Sequence, residues 1–192
     1  MILVAGLGNP GQKYQGTRHN VGFEVLAELA NRFSASQPSL KYDSELAEIM
    51  IGSEKVILLA PQTYMNESGR AVRKCFDFYQ PELTDVVVVC DDMNLDIGRL
   101  RWRPKGSAGG QKGLDDIIRH LGNEDFPRLR IGIGRPPGRM NPADFVLGRF
   151  TSQERITMDQ VVVAAADSVE CWISEGVDSC MNRFNSQEYQ DP

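Results

Sequence analysis

The sequence has no apolar run long enough to cross a bilayer. Its first residues also lack the basic segment, apolar stretch and small-residue cleavage site of a secretory signal. We therefore expect a cytoplasmic protein without membrane contact. With 192 residues, 41% of them hydrophobic, the chain is long enough for one well-buried domain and short for two. We predict one domain over residues 1–192, in which residues 185–192 form a flexible tail.

Cysteine and histidine are both scarce. The four cysteines show no Cys-x-x-Cys spacing and lie in apolar or helical contexts, which predicts buried, reduced thiols. This pattern indicates neither a zinc site nor a disulfide framework, and we expect no metal or other cofactor. Because the only histidines are His19 and His120, imidazole chemistry near neutral pH has two candidates.

Positive charge is in the minority overall, but it is concentrated in one segment. The net charge of −5 disfavours indiscriminate binding to nucleic acid. Between residues 99 and 149, however, eleven Lys and Arg stand against five Asp and Glu, so this segment carries +6 and the remainder −11. Such a distribution is typical of a protein with a specific anionic partner. Simple solvation of the arginines accounts for the charge count equally well.

Apolar patterning predicts an α/β domain. The valine run at residues 86–90 is continuous, as in a strand buried on both faces of a parallel sheet. We expect a twisted, mixed, mostly parallel sheet with helices on both faces, and loops at 34–39 and 135–142. The predicted strands are 2–5, 46–51 and 56–60 (a hairpin), 86–90, 99–103 and 129–133. The predicted helices are 21–33 with Asn20 as its cap, one reaching Tyr79, 114–121, 152–174 with a Thr151/Glu154 capping box, and 177–184.

Two glycine-rich loops raise the question of nucleotide binding. Gly6-x-Gly8-x-x-Gly11 follows a strand and formally matches the dinucleotide fingerprint, but the next helix starts only after His19 and the next strands form a hairpin. The loop from Gly106 to Gly113 lacks the final glycine and the Ser or Thr of a Walker loop. We therefore reject a nucleoside triphosphatase and keep a dinucleotide-dependent enzyme as a distant alternative.

Several polar side chains lie in loops that follow predicted strands. Asn9, Tyr14 and His19 lie in the first such loop, Asn66 follows the hairpin, and Asp91 follows the valine run. Singly, each has an ordinary structural interpretation as a turn former, a helix cap or a buried polar group. Because α/β proteins bind ligands at the carboxyl edge of the sheet, we predict that these residues meet there.

Several motifs occur in the order and spacing of one known family. They are Val4-Ala-Gly-Leu-Gly-Asn9-Pro-Gly11, Thr17-Arg-His19-Asn20-Val-Gly22, Pro61-x-Thr63-Tyr64-Met-Asn66-x-Ser-Gly69, Asp91-Asp92, Gly106-Ser-Ala-Gly-Gly110, Leu129-Arg130-Ile-Gly-Ile-Gly134 and Phe145-Val-Leu-Gly148. By these motifs the chain closely resembles bacterial-type peptidyl-tRNA hydrolase over nearly its whole length. The combination is far more specific than any one glycine loop.

The resemblance implies hydrolysis of the ester that joins a peptide to the terminal ribose of tRNA, which recycles tRNA from stalled translation. It implies that His19 is the general base, that Asp91 orients it, and that no metal is required. Asn9 would read the peptide backbone and help reject aminoacyl-tRNA, and Asn66 would position the substrate carbonyl or stabilise the oxyanion. The remaining implied contacts are Tyr14 and Tyr64, which line the site, and Arg103, Arg130 and Arg139, which bind tRNA phosphates.

One departure from the family concerns the residues after the double glycine. The family commonly has His-Asn there, whereas this chain has Gln111-Lys112. A lysine at a helix N-terminus opposes the helix dipole and calls for an anionic partner. Asp115 and Asp116 are one internal possibility. Our hypothesis is that Lys112 instead meets the terminal phosphate of tRNA or polarises the ester carbonyl.

The rival from another functional class is a non-catalytic RNA-binding relative of the same fold, similar to a plant organelle splicing factor. Retention of His19, Asn9, Asn66 and Asp91 favours the enzyme, although that relative resembles the family at its site as well. We expect peptidyl-tRNA as the partner, no obligate protein partner, and a monomer, because the patterning leaves no unused apolar stripe.

Overall fold

The computed structural model describes residues 1–189, which form a single seven-stranded sheet in the order β2-β3-β4-β1-β5-β7-β6. The four central strands β4, β1, β5 and β7 are parallel, whereas β3 and β6 run against their neighbours. The predicted mixed, mostly parallel sheet is thereby confirmed. The strands are β1 (Ile2–Gly6), β2 (Ser39–Lys41), β3 (Ser44–Ile51), β4 (Glu54–Pro61), β5 (Val86–Asp92), β6 (Leu100–Arg103) and β7 (Arg128–Gly132).

Helices cover both faces of the sheet, as predicted. They are α1 (Val21–Arg32), α2 (Ser68–Tyr79), α3 (Lys112–Leu121), α4 (Pro142–Val146), α5 (Ser152–Glu175) and α6 (Val177–Phe184). Helices α1, α5 and α6 share one apolar core with the sheet, and α2 and α3 share the other. In this part of the chain no helix has the length and apolar character needed to cross a membrane.

Strand β5 joins the two cores. It lies between β1 and β7, pairs with both in parallel, and is buried along its whole length. Val87 and Val89 face the core of α1 and α5, whereas Val86 and Val88 face that of α2 and α3. A strand covered on both faces needs apolar side chains at every position, which explains the unbroken valine run. The buried carboxyl end of this strand delivers Asp91 and Asp92 to the sheet edge.

Two short elements begin at the last residues of the loops predicted at 34–39 and 135–142, and the sequence assigned neither of them. Strand β2 has three exposed residues and exists through its antiparallel pairing with β3. Helix α4 begins at Pro142 behind Asn141, whose side chain accepts a hydrogen bond from Ala143 N. Asn followed by Pro is a regular helix start, but five residues are too few to show apolar periodicity.

Residues 185–189, which belong to the predicted flexible tail, make long-range contacts with β6 and the residues before it. The Asn185 side chain accepts a hydrogen bond from Trp102 N (2.6 Å) and donates one to Trp102 O (3.2 Å). Glu188 forms a β-bridge with Arg99, and Tyr189 N donates to Gly98 O (2.8 Å). The segment thus adds partners to the exposed edge of β6, a long-range interaction that composition does not reveal. The other three residues of the predicted tail, 190–192, lie outside the described residues.

The four cysteines are free and buried, as predicted. Burial raises the pKa of the Cys75 thiol and of the Cys90 thiol to about 12. Both side chains are therefore neutral at physiological pH and act as small apolar groups in the core.

Candidate active site

A cavity of about 670 Å³ opens at the carboxyl ends of β1, β4 and β5. This volume falls in the range of small-molecule sites. The structure thus brings the residues that follow three separate strands to one edge of the sheet. The predicted site residues in its wall are Asn9, Tyr14, His19, Tyr64, Asn66, Asp91 and Lys112.

A histidine and a carboxylate form the chemical centre of this cavity. His19 Nδ1 lies 2.9 Å from Asp91 Oδ1 and 2.9 Å from Oδ2. The two residues are 8% and 3% exposed, so the pair is almost removed from solvent. A carboxylate only accepts hydrogen bonds, which places the ring proton on Nδ1 and leaves Nε2 as the basic nitrogen. An oriented imidazole of this kind is equipped to take a proton from water.

The position of His19 depends on how closely α1 approaches the sheet. Residues 18–20 form one 3-10 turn that leads directly into α1. At Gly22 in the first turn of α1, a Cβ atom would overlap the backbone of Leu7 and the carbonyl oxygen of Val89. Only glycine permits this contact, which lets the helix start against β1 and β5. His19 is thereby held beside Asp91 at the end of β5.

Arg18 anchors the same turn from the other side. Its buried guanidinium donates to the carbonyl oxygen of Arg149 and forms an ion pair with Glu154 (2.7 Å). The Phe145 ring lies 4.4 Å from the guanidinium carbon. Glu154 also belongs to the predicted capping box of α5, which the structure confirms. The start of α5 is therefore tied to the turn that carries His19.

Asn9 is held by two hydrogen bonds to Asn20 and one to Met65. The Asn20 amide accepts from Asn9 N (2.8 Å) and donates to Asn9 O (2.9 Å). Asn20 occupies the N-cap position of α1, as predicted, but its side chain makes no capping hydrogen bond because its amide is engaged in this clamp. Asn9 Oδ1 in turn accepts from Met65 N (2.8 Å). The oxygen of the Asn9 amide is thus occupied, and its Nδ2 is the group that remains to recognise a ligand acceptor.

Aromatic rings and an exposed amide complete the rim of the cavity. Tyr14 and Tyr64 form an edge-to-face pair with centroids 6.5 Å apart. Tyr64 is 55% exposed, and Asn66 on the following 3-10 turn is exposed as well. Apolar side chains that also line the cavity include Met93 and Val146. The cavity therefore offers an apolar surface in addition to its polar centre.

Arg130, for which the resemblance implies a contact with tRNA phosphate, is buried. Its guanidinium is paired with Asp92 (3.0 Å) and donates to Ser107 O (2.9 Å) and Ala108 O (2.8 Å). The two aspartates of the sequence motif thus have different tasks, since Asp91 contacts His19 and Asp92 contacts Arg130. A buried cation with these partners holds the glycine loop after β6 in place.

The other predicted phosphate ligands are at the surface. Arg103 on β6 and Arg139 in the loop before α4 are exposed, and neither forms an ion pair with any residue from 1 to 189. Lys112 is exposed at the first position of α3 and lines the cavity. It has no carboxylate partner within the described chain, and Asp116 is paired instead with Arg119. The internal neutralisation of Lys112 considered from the sequence is therefore not formed.

Gln111 is a site residue that the sequence analysis missed. Its side chain lies between Asp91, Met65 and the N-terminus of α3, and it lines the cavity. The sequence signal that could have identified Gln111 is its position between the double glycine and a predicted helix, because a side chain at such a position can cap the helix. Glutamine is not a preferred capping residue, so the pattern did not stand out.

An α/β domain with a buried histidine–aspartate pair facing a cavity at the carboxyl edge of its sheet defines an enzyme of the hydrolase type. Comparison with known proteins specifies it further. The family described as peptidyl-tRNA hydrolase matches residues 3–192. The chain belongs to this family, as the motifs predicted.

Similar proteins match over nearly their full length. Peptidyl-tRNA hydrolase of Rhodopirellula baltica is 53% identical over 186 residues, which cover 97% of this chain and 98% of that protein. The corresponding protein of Syntrophomonas wolfei is 46% identical and covered completely by 96% of this chain. The crystal structure of peptidyl-tRNA hydrolase from Acinetobacter baumannii is 34% identical, with a TM-score of 0.92 over 98% of this chain and 96% of that one. The fold and the family are shared throughout.

The close approach of α1 predicts that Gly22→Ala destabilises the protein. The added methyl group must push α1 away from Leu7 and Val89, at a cost of about 3 kcal/mol in the free energy of unfolding. Urea denaturation measures this cost. Ala27→Ser on the exposed side of α1 is the control and should cost less than about 1 kcal/mol. Wild-type stability of Gly22→Ala would contradict the proposed contact.

Proposed function

We propose that this protein hydrolyses peptidyl-tRNA, with His19 as the general base. The observation that carries the proposal is the buried His19–Asp91 pair, which faces a cavity with the exposed amide of Asn66 at its rim. Membership in the peptidyl-tRNA hydrolase family supports the choice of substrate. The residues needed to attack an ester are therefore gathered at one site.

The reaction begins with a water molecule placed between His19 Nε2 and the ester carbonyl. His19 takes a proton from this water as its oxygen bonds to the carbonyl carbon, and Asp91 stabilises the imidazolium that forms. The amide of Asn66 donates to the carbonyl oxygen, which becomes negatively charged in the tetrahedral intermediate. The C–O bond to the ribose then breaks, and the proton held by His19 passes to the departing ribose hydroxyl. The products are tRNA and a peptide carboxylic acid, which loses its proton to solvent.

Asn9 supplies the selection of peptidyl over aminoacyl groups. Because Met65 N occupies Asn9 Oδ1, Nδ2 is available to donate to a carbonyl oxygen of the peptide backbone. An N-blocked residue offers such an acceptor at the position where a free aminoacyl group carries an ammonium. An ammonium has only donors and would face the Asn9 donor unpaired.

Three exposed cations bind the phosphates of tRNA. Lys112 lines the cavity, Arg103 ends the strand before the glycine loop, and Arg139 precedes α4, whose first residues line the cavity. Exposed cations that form no ion pair with residues 1–189 can replace the counterions of a phosphate backbone. Local positive charge of this kind explains how a protein of net charge −5 binds a polyanion.

Because the proposed substrate is a tRNA of the translation machinery, we propose that the protein acts in the cytoplasm. We also propose that it acts as a monomer.

The first test is cleavage of an N-blocked aminoacyl-tRNA. We expect His19→Asn to lower kcat by at least a hundredfold, because loss of a general base removes that much catalysis. His120→Gln replaces the other histidine, which lies outside the cavity, and should keep wild-type kcat. Comparable kcat values for wild type and His19→Asn would overturn the assignment of the base. Tight tRNA binding by a wild-type protein that cleaves nothing would favour the RNA-binding rival.

The second test concerns selectivity. Asn9→Asp keeps an oxygen for the Met65 N–H group but replaces the donor by a negative charge. We expect the ratio of kcat/KM for N-blocked over free aminoacyl-tRNA to fall at least tenfold, because the carboxylate attracts the free ammonium. Steady-state kinetics with both substrates measure the ratio. An unchanged ratio would remove Asn9 from the recognition of the blocked amine.

The third test separates the two hypotheses for Lys112. If Lys112 binds a phosphate, Lys112→Met raises KM about fivefold, leaves kcat unchanged and reduces the slope of log KM against log salt by about one. If it polarises the ester carbonyl, kcat falls instead. Lys55→Met removes an exposed lysine at the opposite end of β4 and is the control. Unchanged kcat and KM in Lys112→Met would exclude both roles.

A further inference from the structure

We propose that Gln111 is a positioning residue that fixes the orientation of the Asp91 carboxylate and, through it, of His19. Gln111 Nε2 donates to Asp91 Oδ1 over 3.0 Å, and that same oxygen lies 2.9 Å from His19 Nδ1. Gln111 is buried, as are both members of the pair. The inference rests on the proposed function, because it concerns the efficiency of the same base.

The direction in which the Gln111 amide points follows from its other contacts. Gln111 Oε1 accepts a hydrogen bond from Leu114 N (2.7 Å). A backbone N–H group needs an acceptor, so the oxygen must face α3 and the NH₂ group must face Asp91. The second contact of Nε2 is Met65 Sδ at 3.2 Å. Both ends of the amide are thus engaged, and Gln111 contacts Asp91 only as a donor.

Helix capping alone does not account for a glutamine at this position. The Gln111 side chain caps α3, but Ser, Thr, Asp and Asn perform that task better because they are shorter. Glutamine is one methylene longer than asparagine, and while its Oε1 caps α3 its NH₂ group reaches the end of β5. The length of the side chain therefore matches a bridge between α3 and Asp91.

The Asp91 carboxylate needs such a bridge because His19 does not fix its plane. His19 Nδ1 lies at the same distance from both carboxylate oxygens, so this contact does not distinguish them. The terminal torsion of aspartate is soft, and the carboxylate rotates unless a second donor holds it. Gln111 is that second donor on Oδ1. By fixing the carboxylate plane it fixes the direction of the imidazole, and hence the place of Nε2 in the cavity.

The decisive variant is Gln111→Ser, which keeps a good cap for α3 and removes the reach to Asp91. We expect its melting temperature to stay within about 5 °C of the wild type, because the better serine cap offsets part of the lost hydrogen bond to Asp91. We expect kcat on N-blocked aminoacyl-tRNA to fall about tenfold, as for loss of one hydrogen bond to a charged group, with KM within about twofold. Gln160→Ser on the exposed face of α5 is the matched control and should keep the wild-type kcat.

A spectroscopic measurement tests the positioning without relying on catalysis. The chain has only two histidines, so the proton NMR signal of His19 Nδ1–H is assigned by its loss in His19→Asn. We expect this signal to shift or broaden in Gln111→Ser and to stay in place in Gln160→Ser.

Gln111→Glu is a second variant, which keeps the length of the side chain and the capping oxygen but replaces the NH₂ donor by a negative charge beside Asp91. We expect its kcat to fall at least as far as that of Gln111→Ser.

The outcomes separate this inference from the proposed function. Wild-type kcat and an unmoved Nδ1 proton in Gln111→Ser would overturn the inference and leave Gln111 as a cap. A raised KM with unchanged kcat would overturn it too, since it would place Gln111 in tRNA binding. If His19→Asn itself retains activity, the proposed function fails in its choice of base, whatever Gln111 does.

Discussion

The site depends on one buried carboxylate. Asp91 lies at the end of the strand that both cores cover, and a carboxylate in such a place is stable only when it is supplied with hydrogen-bond donors. Two donors reach it from different segments: His19 from the turn before α1, and Gln111 from the loop before α3. The need to satisfy this group is therefore what brings the first loop and the glycine loop together at the edge of the sheet.

Much of the fold follows from local patterns in the sequence. The valine run of β5 is covered on both faces, the hairpin of β3 and β4 consists of two apolar stretches around a turn, and the long helix α5 carries its capping box. Each of these signals is determined by the segment itself, since burial on two faces or on one stripe imposes its own period. Elements of three to five residues were missed, because β2 and α4 depend on a partner strand or on packing elsewhere. Residues 185–189 were missed for the same reason.

The candidate site was predictable to a different degree. Asn9, His19 and Asp91 were assigned to one sheet edge, since each follows a strand whose direction the pattern indicates. The pairing of particular atoms was not predictable. The sequence around Asn20 is equally compatible with a side-chain helix cap. Only the folded structure brings Asn9 close enough for the Asn20 amide to hydrogen-bond to its backbone. Gln111 was overlooked because its reach to Asp91 is a contact over twenty positions in sequence.

The basic segment shows why charge counts do not identify ligands. Arg128 and Arg130 belong to the same basic sequence segment as Arg103. Both lie on β7, however, and their side chains are buried against the glycine loop. Arg128 donates to Gly106 O and Glu124 O, and burial together with Arg130 lowers its pKa to about 10, so the guanidinium remains charged at neutral pH. These buried cations replace water as the partners of the loop carbonyls.

The glycine loop is consequently fixed at both ends. Arg130 holds the carbonyl oxygens of Ser107 and Ala108 while it pairs with Asp92, and Gln111 joins the end of the loop to Asp91. The two adjacent aspartates of β5 therefore hold the start and the end of one loop. Lys112 directly follows Gln111, so the same hydrogen bonds also determine its position. The surface proposed to meet tRNA and the carboxylate that orients the base thus belong to one connected set of hydrogen bonds, so that displacing the loop displaces both.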